Sequence, residues 1–326
     1  MPDVDPTAAG AQSPRVVQAR SGESTLTVLV AFGANALVAV AKSAAAMITG
    51  SASMLAESVH SWADTGNEVF LLIADRRSRR PADPTHPLGY GREAYVWSMF
   101  AAIGLFAVGA GVSVTHGIQE LVHQKPASDF GVAYAVLGIS FVLEGTSFLR
   151  GVRQARAEAR KGDRDLVRHV LATSDPTVRA VIAEDAAALV GLVVAFGGVL
   201  AHQLTGSPVP DAIGSIVVGV VLGVVALVLI DRNRRFLVGE AVDPAARTAM
   251  LHRLLELPVV ERVTYLRLEY VGPRSAYLVA SVDLRGDERE TDVARRLDTL
   301  ERHAVQLPGI AGAVFTVSTP EEPSLG

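Results

Sequence analysis

The sequence contains no cysteine. That excludes disulfides, thiolate metal centres and a cysteine nucleophile, and leaves histidine, aspartate and glutamate as the strong metal ligands. Positive charge is not in excess either: the net charge is −4 over 326 residues, which is no footprint for nucleic acid. No His-Glu-x-x-His or other hydrolase motif is present, which argues against an enzyme. Residues 1–23 are rich in Pro, Ala and Ser and lack an apolar core. They are expected to form a disordered cytosolic arm, residues 1–25, rather than a signal peptide.

What is present is apolar. Hydrophobic residues make up 49% of the chain and mean hydropathy is +0.32, too high for an ordinary soluble protein. Six runs, near 26–48, 52–74, 94–118, 130–149, 177–201 and 211–230, can each cross a hydrocarbon layer of about 30 Å with about 20 residues. Asp175-Pro176 opens the fifth run as an N-cap followed by proline at the first helical position. Arginines gather on one side: Arg76, Arg77, Arg79, Arg80 and Arg92, then the stretch from Arg150 to Arg168, then Arg232, Arg234 and Arg235. The opposite loops carry only Lys125. The positive-inside rule therefore predicts a multi-pass protein of the cell (inner) membrane with both termini in the cytoplasm.

From about Glu240 the pattern becomes that of a soluble domain. Helix 245–257, strands 263–271 and 276–284, a helix marked by Val293, Leu297, Leu300 and Leu307, and strand 313–318 predict a small ferredoxin-like α+β sandwich. The expected layout is a six-helix transmembrane domain at 26–235, a cytosolic α+β domain at 240–320 and a tail at 321–326. At about 80 residues the second domain buries a modest core, so pairing with another copy would help it.

The second run carries Glu57, His60, Asp64 and Asn67 on one helical face. His60 and Asp64 are one turn apart and can grip one ion. The alternative is a polar stripe gluing helices together, but such glue is more often Ser, Thr or Asn than histidine with carboxylates. The fifth run carries Glu184 and Asp185, about 15 Å inside its helix at 1.5 Å per residue. Adjacent carboxylates at mid-membrane are costly unless a cation or proton offsets them. His60, Asp64, Asp185 and Glu184 would together supply N/O ligands for a closed tetrahedral site. Lys42 reads as a snorkelling lysine near a helix end, Asp211 as the N-cap of the sixth run, and Glu144 as ambiguous between proton relay and hydrogen bonder.

Thr49-Gly-Ser-Ala-Ser-Met-Leu-Ala-Glu-Ser-Val-His-Ser-Trp-Ala-Asp64, and Asp83-Pro-Thr-His-Pro-Leu-Gly-Tyr-Gly-Arg92 after it, resemble signatures of the cation diffusion facilitator (cation efflux) family. The six-run layout with an α+β domain resembles it too, and the second helix looks most like the zinc-transporter branch bearing Glu, His, Asp and Asn. The resemblance implies a homodimer in a lipid bilayer that exports divalent metal, usually zinc, against protons, with no prosthetic group. It places the span-two pair on His60 and Asp64. The usual span-five pair falls on Val181 and Asp185; Val181 cannot ligate, and Glu184 on the same side can reach the same ion. A loop site of some relatives falls on Asp83, His86 and Tyr90, so at most a weak site is expected there. His252 and His303 read as isolated surface residues, so no tight metal site is expected in the C-terminal domain.

Imidazole beside carboxylates suits zinc and tolerates Fe, Co, Ni, Cd or Mn. The rival readings are a membrane metallo-enzyme and a non-transporting scaffold; costly buried ligands argue against the second.

Overall fold

The structure, a computed structural model, describes residues 25–124, 127–161 and 165–325. The N-terminal arm up to residue 24 and Lys125 lie outside the described residues. A helical bundle is followed by a small α+β domain. The bundle comprises α1 (Thr25–Thr49), α2 (Ala52–Ser78), α3 (Glu93–Gly104), a π-helical stretch (Leu105–Ala110), α4 (Gly111–His123), α5 (Phe130–Lys161), α6 (Leu166–Ala172), α7 (Pro176–Thr205) and α8 (Val209–Val238). α3, the π stretch and α4 form one rod over Glu93–His123.

Five of these helical segments are long and apolar enough to cross a membrane: Phe32–Thr49, Glu93–His123, Phe130–Arg160, Pro176–Thr205 and Val209–Val238. The sixth expected span is α2, equally long but heavily polar, as its stripe foretold. α5 runs on to Lys161, well past the expected end near 149, because Arg150–Lys161 contains no helix breaker other than Gly151. α2 sits at the centre, packed against α1, α3, α4, α7 and α8.

The helix ends follow local chemistry. Gly50, at φ 64°, lets α1 reverse into α2 in one residue. Asp175 caps α7 by accepting from the Thr177 and Val178 N–H groups at 3.1 and 3.4 Å, with Pro176 beginning the helix as expected. Asp211 does something different from its expected role. It lies in the first turn of α8, not at its N-cap, and is buried. Its carboxylate accepts from the Ala52 N–H at 2.7 Å, the Ser53 N–H at 3.3 Å and the Ser51 hydroxyl at 2.9 Å, as well as from the Ser53 hydroxyl. It therefore caps α2 from across the bundle, where the free N–H groups and the helix dipole favour an anion. Ser51 completes the cap by accepting from the Met54 N–H at 3.2 Å.

Lipid gives helices no hydrophobic reason to associate, so close backbone approach supplies the packing. α4 and α8 illustrate it: a Cβ on Gly219 would lie 2.7 Å from the Val114 side chain and 2.9 Å from its backbone nitrogen, and one on Gly117 would lie 2.8 Å from the Ala212 carbonyl oxygen.

The C-terminal domain comprises α9 (Pro244–Leu255), β1 (Val260–Gly272), β2 (Ser275–Leu284), α10 (Glu290–Val305) and β3 (Ile310–Val317). The helix-strand-strand-helix-strand order is the expected one. The sheet order is β1-β2-β3, with β1–β2 antiparallel and β2–β3 parallel through the α10 crossover. One face of β2 (Ala276, Leu278, Ala280, Val282 and Leu284) is wholly buried. It packs in one cluster with Leu251 and Leu254 of α9 and Leu300 and Ala304 of α10.

The turn between β1 and β2 abuts the arginine-rich end of the bundle. A Cβ on Gly91 would sit 2.5 Å from the Val271 oxygen and 2.8 Å from the Gly272 Cα, so glycine alone permits that approach. Arg92 pairs with Glu269 at 2.7 Å, Arg274 reaches Asp175 and Glu158 at 3.4 Å each, and the Arg274 N–H donates to Ser174 Oγ at 2.9 Å.

Candidate metal site

Helical spacing brings Glu57, His60, Asp64 and Asn67 onto the inner face of α2, and Glu57, His60 and Asn67 are buried there. His60 is fully buried, with Nε2 3.3 Å from Asp64 Oδ2. That contact is close but not aligned as a hydrogen bond: both imidazole nitrogens and Asp64 Oδ1 lack partners. An unpartnered buried imidazole beside an unpartnered carboxylate oxygen is expensive as structure, and it suits a cationic guest. The Asp64 side chain is 26% exposed, so the pair can be reached from outside the bundle.

The α7 residues divide. Glu184 is buried on the face that meets α2, where Asn67 donates to it at 3.0 Å. Asp185 lies at the flank toward α5 and accepts from the Ser147 hydroxyl at 3.0 Å. Val181 is 37% exposed, directed away from the core. Glu184, Glu144, Lys42 and Asp185 are the charged groups that act electrostatically on Asp64. Sequence reasoning thus named residues that the fold gathers around one part of the bundle. Among the described residues, however, no three His, Asp or Glu side chains converge tightly enough to hold one ion in this conformation. Glu184 and Asp185 are each held aside by a neutral hydrogen-bond donor, and side-chain rotation away from Asn67 and Ser147 is what would bring them to His60 and Asp64.

Three features escaped the sequence reading. Lys42 does not snorkel. It is completely buried and donates to Glu57 Oε2 at 3.0 Å and Glu144 Oε1 at 2.7 Å. A lysine inside an apolar run two helices away from two acids was the available signal, since such a charge must find a partner. Asn35 of α1 donates to Glu68 of α2, extending the polar face of α2 one turn beyond Asp64. Asp211 caps α2 rather than its own helix. Together these line α2 with polar partners from Ser51 to Glu68.

The loop after α2 is self-satisfied. Tyr90 OH donates to Asp83 Oδ2 at 2.7 Å, Thr85 Oγ1 donates to Asp83 Oδ1 at 2.6 Å, and the His86 ring stacks on Tyr90 at 4.1 Å between centroids. The Thr85 and Tyr90 hydroxyls, with the backbone N–H groups of His86 and Thr85, hold the Asp83 carboxyl well below the usual carboxylate range. Its lone pairs are spent within the turn. His252 and His303 are exposed on α9 and α10, apart from one another.

Residues 28–238 match the model of the cation efflux transmembrane domain. The chain belongs to the cation efflux family. It is 36% identical over 270 residues to metal tolerance protein C4 of Arabidopsis thaliana, covering 83% of this chain and 59% of that protein. It is 33% identical over 259 residues to the human proton-coupled zinc antiporter SLC30A9, mitochondrial, covering 79% of this chain and 46% of that protein. Magnetosome protein MamB of Paramagnetospirillum magneticum is a more distant cation-efflux-like relative, 23% identical over 245 residues, 74% of this chain and 76% of that one. The chain spans about half the length of the plant and human relatives.

Proposed function

We propose that this chain transports a divalent metal cation, zinc foremost, out of the cytoplasm in exchange for protons. The observation that carries the reading is the buried His60–Asp64 pair on α2 with its unpartnered imidazole nitrogens. Asp185 and Glu184 of α7 are proposed to complete the ligand set when they leave Ser147 and Asn67. A neutral imidazole among carboxylates is an N/O set suited to zinc. Metal can bind only to the deprotonated ligands, so loading the metal expels protons and loading protons expels the metal; one set of side chains thereby exchanges one for the other. The printed name of the human relative, a proton-coupled zinc antiporter, supports both cargo and coupling.

The same proposal covers the arrangement around the site. Residues 26–235 form the transport domain and residues 240–320 pair two copies into a homodimer. The arginine-rich ends of the helices face the cytoplasm of a cell (inner) membrane. The ions Fe, Mn, Co, Ni and Cd are the competing cargoes. A metallo-enzyme would need an activated water, and nothing about the His60–Asp64 pair favours one.

The test is flux in sealed liposomes containing the full-length protein. Zinc uptake accompanied by opposite proton movement is the expected result, with competition by the other metals ranking the cargo. Zinc binding with no flux of either ion would leave a scaffold as the better reading.

A further inference from the structure

Lys42, Glu57 and Glu144 form a charged cluster for which the His60–Asp64 pair has no use. Lys42 and Glu57 are fully buried and the Glu144 side chain is 18% exposed. One ammonium faces two carboxylates. Glu57 Oε1 and Glu144 Oε2 have no hydrogen-bond partner, so the cluster is short of positive charge and of donors together. Burying an excess carboxylate is costly, and the arrangement is that of a two-carboxylate cation site occupied by a single charge.

The site is built into the backbone as well. Glu57 Oε1 points at Gly191 of α7, where any Cβ would collide with it; the carboxylate has a slot that only glycine leaves open. Glu57 lies one turn from His60, and the Lys42 charge acts on both His60 and Asp64. A divalent ion on the His60–Asp64 pair therefore repels the ammonium, while Glu57 and Glu144 attract both cations. The lysine stem is flexible and seven residues from the end of α1 at Thr49, so the ammonium can withdraw along its own helix.

We propose that Glu57 and Glu144 form a second divalent-cation site beside the His60–Asp64 pair, and that the Lys42 ammonium is its tethered resident, holding it closed until the transported metal displaces it. This rests on the proposed function in taking the displacing ion to be the cargo. The ammonium then works as an internal substitute for the cargo, keeping the two acids satisfied when no metal is present and excluding a second ion from the resting protein.

Zinc titration of the full-length protein in detergent tests this, read as ions bound per chain. The wild type and Lys42→Arg should bind one ion in the bundle. Lys42→Met should bind two, and Lys42→Met/Glu144→Gln should return to one. A second measurement needs no variant that could fail to fold: acetylation of Lys42 by a small amine reagent, read by mass spectrometry against Lys125 and Lys161 as internal standards. Labelling of Lys42 should rise about tenfold at zinc saturation. A folded Lys42→Met protein that binds the wild-type number of ions would overturn the proposal, and so would Lys42 labelling unmoved by saturating zinc. A wild type that binds no zinc at all would instead sink the proposed function, while a gain of binding in Lys42→Met would still be readable.

Discussion

The two domains bury different things. In the bundle, Lys42, Glu57, His60, Asn67, Arg179, Glu184, Asp211 and Asn233 are all buried; from Glu240 onward the only buried polar residue among the described ones is Ser318. The bundle is thus filled with groups that must be paired to be tolerated, while the C-terminal domain is filled with Leu, Val and Ala that need only fit. Arg179 shows how thoroughly the first is cross-linked: it donates to Asn233 at 2.6 Å and to the Thr173 carbonyl at 2.9 Å, and Asn233 passes the connection to Ser98 at 3.1 Å. A polar interior of this kind can exchange one set of partners for another at modest cost. An apolar one holds a single shape because every alternative opens a cavity.

Removing ligating groups from the bundle should break this contrast most severely. His60→Ala and Asp64→Ala are each expected to lower zinc affinity by more than about 100-fold and to abolish flux while the protein stays folded in detergent. Wild-type flux in either variant would remove the pair from the proposed site. On the other side, Leu278→Ala empties the centre of the C-terminal core, where Leu278 is 0% exposed. It should cost about 2–5 kcal/mol in that domain's unfolding and leave zinc affinity in the bundle within about twofold, checked by calorimetry and zinc titration on the same sample. An equal loss of affinity would mean that the two interiors are not independent.

A smaller effect separates the two acids of α7. Glu184→Gln and Asp185→Asn should each weaken zinc binding by about tenfold if both rotate onto the ion. If only Asp185→Asn does so, Glu184 belongs to the Asn67 contact and three protein ligands suffice. The least effect is expected for Asp211→Asn, which keeps the shape of the cap and removes its charge. A loss of about 1 kcal/mol is expected, seen as a melting shift of a few degrees with transport retained.

Elements were more legible than partnerships. The apolar runs, the Asp175-Pro176 helix start and the alternating strands at 260–272 and 275–284 are local patterns, and local chemistry decided them. The stripe on α2 was visible for the same reason, since it repeats within one helix. Lys42 was misread because its second partner, Glu144, lies 102 residues away, and nothing in the neighbourhood of either residue announces the other. Asp211 failed similarly: its position at the start of an apolar run suggested a local cap, whereas the free N–H groups it satisfies belong to a helix 159 residues earlier. Glu184 and Asp185 were located in the chain, but adjacent residues on a helix diverge by about 100°, and only the packing decides which neighbour each meets.

The π-helical stretch Leu105–Ala110 works like a counter that has slipped by one. Such a stretch accommodates one residue more than an α-helix of the same rise, so everything after it is turned by about 100° relative to an unbroken rod. The rod carries Gly117 into contact with Ala212 and Ile216 of α8. Deleting a single residue between 105 and 110 would hardly alter length or hydropathy, yet it would swing Gly117 out of that slot and present a larger side chain to α8. This helix can be exchanged residue for residue along most of its length, but it cannot be shortened by one.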